Sequence, residues 1–179
     1  MKVSSWFSKM LGMSLTLDNL QSVLLLQLQD LYSAEDQLIS ALPKMAEAAS
    51  NSELKSAFTT HLDETRQQKA RLEQAFRALG KEVTSETCEA MEGLIAEGDE
   101  VAGLNGDPEA KDAALIAAAQ RVEHYEMAGY GCARTFARQI GREDVAALLQ
   151  RTLEEEANAD KILTHIAEGF VNVGASARA

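Results

Sequence analysis

Apolar residues return every three or four positions along almost the whole chain, the period of helices that bury one face. The first run carries Leu24, Leu28, Leu31, Glu35, Leu38, Leu42 and Met45. Asp18, with Gln21 three residues on, reads as the capping box that opens it, and Pro43 is expected to kink its last turns. Ser50-Asn51-Ser52 makes a short turn with a second box from Ser50 to Glu53. The next run then follows Leu54, Ala57 or Phe58, His61, Thr65, Gln68, Leu72 and Phe76 until Gly80 stops it.

A long connection follows, in which Met91, Leu94, Ile95, Gly98 and Val101 predict a shorter amphipathic helix closed by Asn105-Gly106-Asp107-Pro108. Asp107 as N-cap and Pro108 at the first helical position start a third long helix, with a stripe of Leu115, Ala119, Val122, Glu126, Gly129, Ala133, Phe136 and Ile140 running to Gly141. The fourth carries Val145, Leu148, Thr152, Glu155, Ala159, Ile162 and Ile166 to Gly169. Residues 170–179 are expected to fray.

Short turns make consecutive helices antiparallel, and a long crossover lets two such hairpins close around one core. The prediction is an all-α chain: a ferritin-like four-helix bundle of two antiparallel hairpins with an extra helix in the crossover. No linker divides it, so residues 17–169 form one bundle domain after an apolar N-terminal extension over 1–16. A shift of 91 residues lays the second hairpin on the first without a gap, matching Leu54 to Val145 and Leu72 to Leu163, Glu35 to Glu126 and Glu64 to Glu155. Duplication and the chance agreement of two equal hairpins both account for this.

Counted from the turn centres at Ser50 and Gly141, Glu35, Glu64, Glu126 and Glu155 each lie 14 or 15 residues away. At a rise of ~1.5 Å per residue they share one level of the bundle. Glu35, Glu126 and Glu155 fall on apolar stripes, and Glu64 follows His61 by three residues at the edge of its stripe. Carboxylates meeting in an apolar interior need compensation, because each buried charge costs several kcal/mol. Iron or manganese ions would supply it, since oxygen-rich donor sets suit these metals better than zinc or copper. Solvated or salt-bridged glutamates, partnered by Arg66, Lys69, Arg134 or Arg138, are the competing expectation.

Composition narrows the field. Lys and Arg number 17 against 28 Asp and Glu, a formal charge of −11, which repels phosphate backbones and anionic lipid, so neither nucleic acid nor membrane is expected as a partner. Two distant cysteines, Cys88 and Cys132, predict a reducing compartment, and the absence of a convincing signal-peptide core makes the cytoplasm the expected location. Trp6, Phe7, Met10, Leu11 and Met13 lie ahead of the bundle, and the expected cover for them is a second copy of the chain in a homodimer.

The segments Asp30 to Leu38 (DLYSAEDQL), His61 to Thr65 (HLDET), Ala90 to Leu94 (AMEGL), Gln120 to Glu126 (QRVEHYE) and Thr152 to Glu156 (TLEEE) together resemble the YciF/YciE-like family of ferritin-like proteins, from about Leu17 to Gly169. The resemblance implies a bacterial, stress-associated bundle with an added crossover helix, usually dimeric. It also implies Glu35, Glu64, Glu126 and Glu155 as metal positions, with Tyr32 beside them. The chain departs from the broader di-iron pattern of Glu-x-x-His on two helices. Gln67 and Asn158 stand where the histidines would be, and helix pairs His61-x-x-Glu64 and Glu123-x-x-Glu126 appear instead. His61 and Glu123 are therefore supplementary ligand candidates. Three functions remain open on the sequence: a di-iron or di-manganese type centre handling oxygen or peroxide, non-catalytic metal binding, and a metal-free structural helical dimer. Cys132 and Tyr130 are expected simply to pack, and Glu156 to lie on an exposed acidic edge.

Overall fold

The computed structural model describes residues 16–177. The chain forms α1 (Leu20–Ala48), α2 (Ser52–Ala78), α3 (Glu89–Gly103), α4 (Pro108–Gln139) and α5 (Glu143–Ile166), then a π-helical turn (Ala167–Val171) and a short α6 (Asn172–Ser176). The helices α1, α2, α5 and α4 follow one another around the bundle, and the crossover helix α3 lies on the face made by α1 and α4. This is the ferritin-like arrangement that the two hairpins predict.

The boundaries show which local signals won. Asn19, not Asp18, caps α1: its side chain accepts from the Ser22 N–H, and the Ser22 hydroxyl accepts from the Asn19 N–H. Likewise Asn51 rather than Ser50 caps α2, accepting from Glu53 and Leu54, while the backbone N–H groups of Ser50 and Asn51 donate to Asp112 on α4 at 2.8 and 2.7 Å. That bond pair ties the first turn to the opposite hairpin. Asp107 caps α4 with Pro108 at its start, as predicted. Gly80 and Gly141, with φ of 68° and 75°, end α2 and α4 in the left-handed conformation that glycine adopts without strain. Pro43 lies inside α1, which continues to Ala48.

The chain does not leave the bundle at Gly169. Val171 is buried, continuing the line of Leu163 and Ala167, and the tail packs on α4. The expected fraying from Phe170 is thus replaced by two more helical turns, because that apolar line extends past Gly169. The cluster of Trp6, Phe7, Met10, Leu11 and Met13 lies outside the described residues, as does any contact it makes.

The core is two apolar clusters rather than one. Leu38, Leu42, Leu54, Phe58, Leu115, Leu163 and Ile166 belong to one end, and Leu24, Leu28, Leu31, Leu72, Phe76, Val145 and Leu149 to the other. Between them the buried side chains are polar: Glu35, His61, Thr65, Gln68, Arg71, Glu123, Glu126, Thr152 and Glu156. Each fully buried Leu or Phe contributes ~1.5–3 kcal/mol, so the two apolar ends can offset a middle layer that folds at a penalty. At Gly129 a Cβ would stand 2.9 Å from Leu31 Cδ2, so α1 and α4 approach closely just beside that layer. Gly131, two residues on, faces open space.

Candidate metal centre

Five side chains from four helices meet in the polar layer. His61, Glu123, Glu126 and Glu156 can each bring one ligand atom within 4.8 Å of the others, and all four are buried. Glu35 on α1 completes the set; it is fully buried and raises the pKa of Glu126 through the repulsion of their charges. His61 Nε2 stands 3.5 Å from Glu123 Oε1 and 3.6 Å from Glu156 Oε2, while its Nδ1 lies 3.4 Å from Glu64 Oε2. With Nδ1–H donating to Glu64, the Nε2 lone pair is turned into the layer.

The layer is short of hydrogen-bond donors. Both oxygens of Glu126 and of Glu156, Oε2 of Glu35 and of Glu123, and His61 Nε2 are buried and find no hydrogen-bond partner among the described residues. The exception is Glu35 Oε1, which accepts from the Tyr130 hydroxyl. Burial is the chief cause that pushes the carboxyl pKa values up. Glu35 rises from its ordinary 4.5 to about 8 despite the Tyr130 bond, and Glu123, Glu126 and Glu156 are raised as well, Glu126 further by the charges of Glu35 and Glu123 and Glu156 by those of Glu126 and Glu123. Burial works against the charged form of His61, yet the surrounding carboxylates of Glu123, Glu64 and Glu35 outweigh it and lift its pKa above 6.5.

Of the residues singled out in the sequence, Glu35, Glu123, Glu126 and His61 are brought together. Glu64 stands at the margin, its side chain about one-third exposed and bonded to His61. Glu155 does not enter the layer. Arg71 Nη2 donates to both of its oxygens at 2.8 and 2.6 Å, Gln68 and Arg151 add bonds at 3.3 and 3.2 Å, and Glu156 takes the inner place. The reason is helical phase. The buried stripe of α5 is Val145, Leu149, Thr152, Glu156, Ala159, Leu163 and Ile166, whereas Ile162 is 43% exposed. The pairs Leu148-Leu149 and Ile162-Leu163 fit either phase, and a one-residue error rotates every side chain by ~100°. A signal for the right phase was present: adding 91 to the α2 stripe of Leu54, Phe58, Thr65, Gln68 and Leu72 gives Val145, Leu149, Glu156, Ala159 and Leu163.

Tyr32 is also displaced from its expected role. Its hydroxyl donates to Glu73 at 3.3 Å and Lys69 lies over its ring, so it serves the outer face of α2, and Tyr130 is the tyrosine that reaches Glu35. Cys132 is exposed rather than packed. Cys88 is buried at the start of α3, where its sulfur accepts from the Met91 N–H and contacts the Tyr125 hydroxyl. His124 bridges helices, 3.3 Å from Asp160 on α5.

Space reaches the layer from two sides, unequally. Under α3 only about 30 Å³ remains, bounded by Leu38, Phe58 and Val122. Between α2 and α5, which no crossover helix covers, a cavity of about 330 Å³ runs inward to His61, Glu64 and Glu123.

A bundle of this form, with carboxylates and a histidine buried at mid-height from four helices, defines a ferritin-like helical protein whose polar cluster could hold a metal ion. Comparison with known proteins assigns the family. Residues 19–176 match the model of a domain of unknown function, DUF892, and the chain belongs to that family. It is 45% identical over 166 residues to Protein YciF of Escherichia coli strain K12, covering 92% of this chain and all of that protein. The crystal structure of the E. coli stress protein YciF matches with a TM-score of 0.84 at 46% identity, over 87% of this chain and 99% of the other. YcfI of Rhodopseudomonas palustris, described as a candidate structural protein, matches with a TM-score of 0.81 at 41% identity, over 86% and 96% of the two chains. Among the described residues no helix is long and apolar enough to cross a membrane.

Proposed function

We propose that the polar layer is a carboxylate-rich centre for iron or manganese, and that the protein handles oxygen or peroxide there under stress. The carrying observation is the set of buried side-chain atoms without a hydrogen-bond partner among the described residues: six carboxylate oxygens, which lack donors, and His61 Nε2. A cation answers all of them at once, whereas a metal-free layer must hold protons, as between Glu123 and Glu156, or leave these atoms desolvated at a cost of about 1–3 kcal/mol each, more if charged. The donor set also fits: oxygen-dominated with one imidazole, as iron and manganese accept.

In this reading Glu123, Glu126, Glu156 and His61 hold the first ion, and Glu35, next to Glu126, supplies the donor that a second one needs. Bound metal would supply redox chemistry toward oxygen or peroxide. The chain's own groups set the conditions. Tyr130 fixes Glu35 by one oxygen and leaves the other free; Glu64 orients the His61 ring; the two apolar clusters close the layer at its two ends and leave the α2–α5 cavity as its open side. The stress setting rests on likeness to YciF, which is described as a stress protein.

Glu126→Gln is the test. Metal content measured on protein purified without chelator should fall to background while the helical circular dichroism stays as it was. Equal content in the parent chain and the variant would overturn the assignment. Loss of metal without any effect on peroxide consumption would reduce the function to sequestration.

A further inference from the structure

We propose that the cavity between α2 and α5 is a binding site for a small neutral or cationic molecule with an aromatic or alkyl body and one hydrogen-bond-donating end. Its volume, about 330 Å³, falls at the lower end of small-ligand sites. Phe58 and Ala57 on α2 and Ile162, Leu163 and Ile166 on α5 make apolar walls, which favour an apolar body over bulk water. The inner end is polar and acidic.

Charge selects the ligand. Glu53, Glu64 and Glu123 line the cavity with no lysine or arginine, and of its two histidines His61 is already engaged by Glu64 and Glu123, so a carboxylate or phosphate would meet net repulsion. Glu64 spends one oxygen on His61, and among the described residues its carboxylate makes no other hydrogen bond. A hydroxyl or amine donor entering along the apolar walls would reach Glu64 before the deeper carboxylates. Ile162, exposed though apolar, stands at the wall where such a body would cover it. On the opposite side α3 covers the approach to the layer and leaves room there for little more than a water. The site goes beyond the metal assignment and does not require it.

The probes are 4-methylphenol, benzylamine and benzoate, titrated into the full chain by calorimetry, with and without chelator, and with metal content measured on the same samples. The first two should bind saturably with dissociation constants on the order of 1 mM or tighter, and benzoate about tenfold more weakly or not at all. Ile162→Trp, which fills the cavity from α5, should weaken 4-methylphenol by about tenfold with helicity and metal content unchanged. Thr60→Trp does the same from α2 should the first variant fold poorly. Glu64→Gln should narrow the gap between benzylamine and benzoate. Absence of saturable binding, benzoate binding as well as 4-methylphenol, or undiminished binding in both tryptophan variants would overturn the proposal. Binding that persists in a chain found to hold no metal would sink the metal centre alone.

Discussion

The two hairpins are built on one plan and differ where it matters. At an offset of 91 the buried positions of α2 and α5 largely coincide and half of those of α1 recur in α4, so Glu35 and Glu126 occupy matching places on α1 and α4, and Glu64 and Glu155 on α2 and α5. The first pair stays alike: both side chains are fully buried and both have raised pKa values. The second pair parts company. Glu64 leans on His61 at the mouth of the cavity, while Glu155 is held by Arg71, a residue with only 6% of its surface exposed. The one-residue neighbours diverge too, with Thr65 in α2 facing the layer where α5 offers Glu156. A shared backbone frame thus carries an asymmetric polar layer, because charge compensation is arranged side chain by side chain.

The sharpest way to break that comparison is to treat the adjacent glutamates of α5 separately. Glu156→Gln should remove bound metal, and Glu155→Gln should leave metal content near that of the parent. If Glu155→Gln emptied the protein and Glu156→Gln did not, the division of roles would be reversed.

The next effect is on pH. In the metal-free fold, burial raises the carboxyls of Glu35, Glu123, Glu126 and Glu156 above their ordinary 4.5, Glu35 to about 8. The folded chain then keeps protons that the unfolded chain releases near pH 4.5. Stability from this source is fully present below that value and is lost as pH rises toward about 8. Chelated protein should accordingly show a falling Tm between about pH 5 and pH 8, and iron or manganese should restore it at the alkaline end. A flat profile with chelator would mean that the layer is already neutralised by other means.

Glu155→Gln has its own consequence for stability, since it strips a buried guanidinium of its bidentate partner. Urea unfolding should show a loss of about 2–4 kcal/mol, less than full burial would give because Glu155 is partly exposed. Its counterpart Glu64→Gln should lose under about 1 kcal/mol in metal-free protein. Between α1 and α4, Gly129→Ala presses a Cβ on the buried Leu31 and should destabilise by ~1–3 kcal/mol, whereas Gly131→Ala, facing open space, should be neutral or slightly stabilising. The smallest difference lies at the turns. Asn51 caps α2 and Arg142 gives α5 no side-chain cap, so Asn51→Ala should cost about 1 kcal/mol.

What could be read without coordinates was whatever repeats locally: five helices, their order, the glycines that stop α2 and α4, the Asp107-Pro108 start, and four of the five residues in the layer. These follow from periodicity and capping, which act within a turn or two of helix. The stripe pattern and the family resemblance agreed on the fold and both placed Glu155 at the site, and the resemblance set Tyr32 beside it. Paired leucines and an Ile-Leu pair leave the α5 stripe by itself ambiguous by one residue; the repeat of the α2 stripe 91 residues on favours the phase with Glu156 inward, and packing against α2 and α4 fixes it. Tertiary structure alone gave Glu155 to Arg71, 84 residues away in sequence, and Glu35 to Tyr130, 95 away. It also left one face of the bundle open when α3 closed the other. Such pairings depend on distances across the bundle, which a helical repeat does not encode.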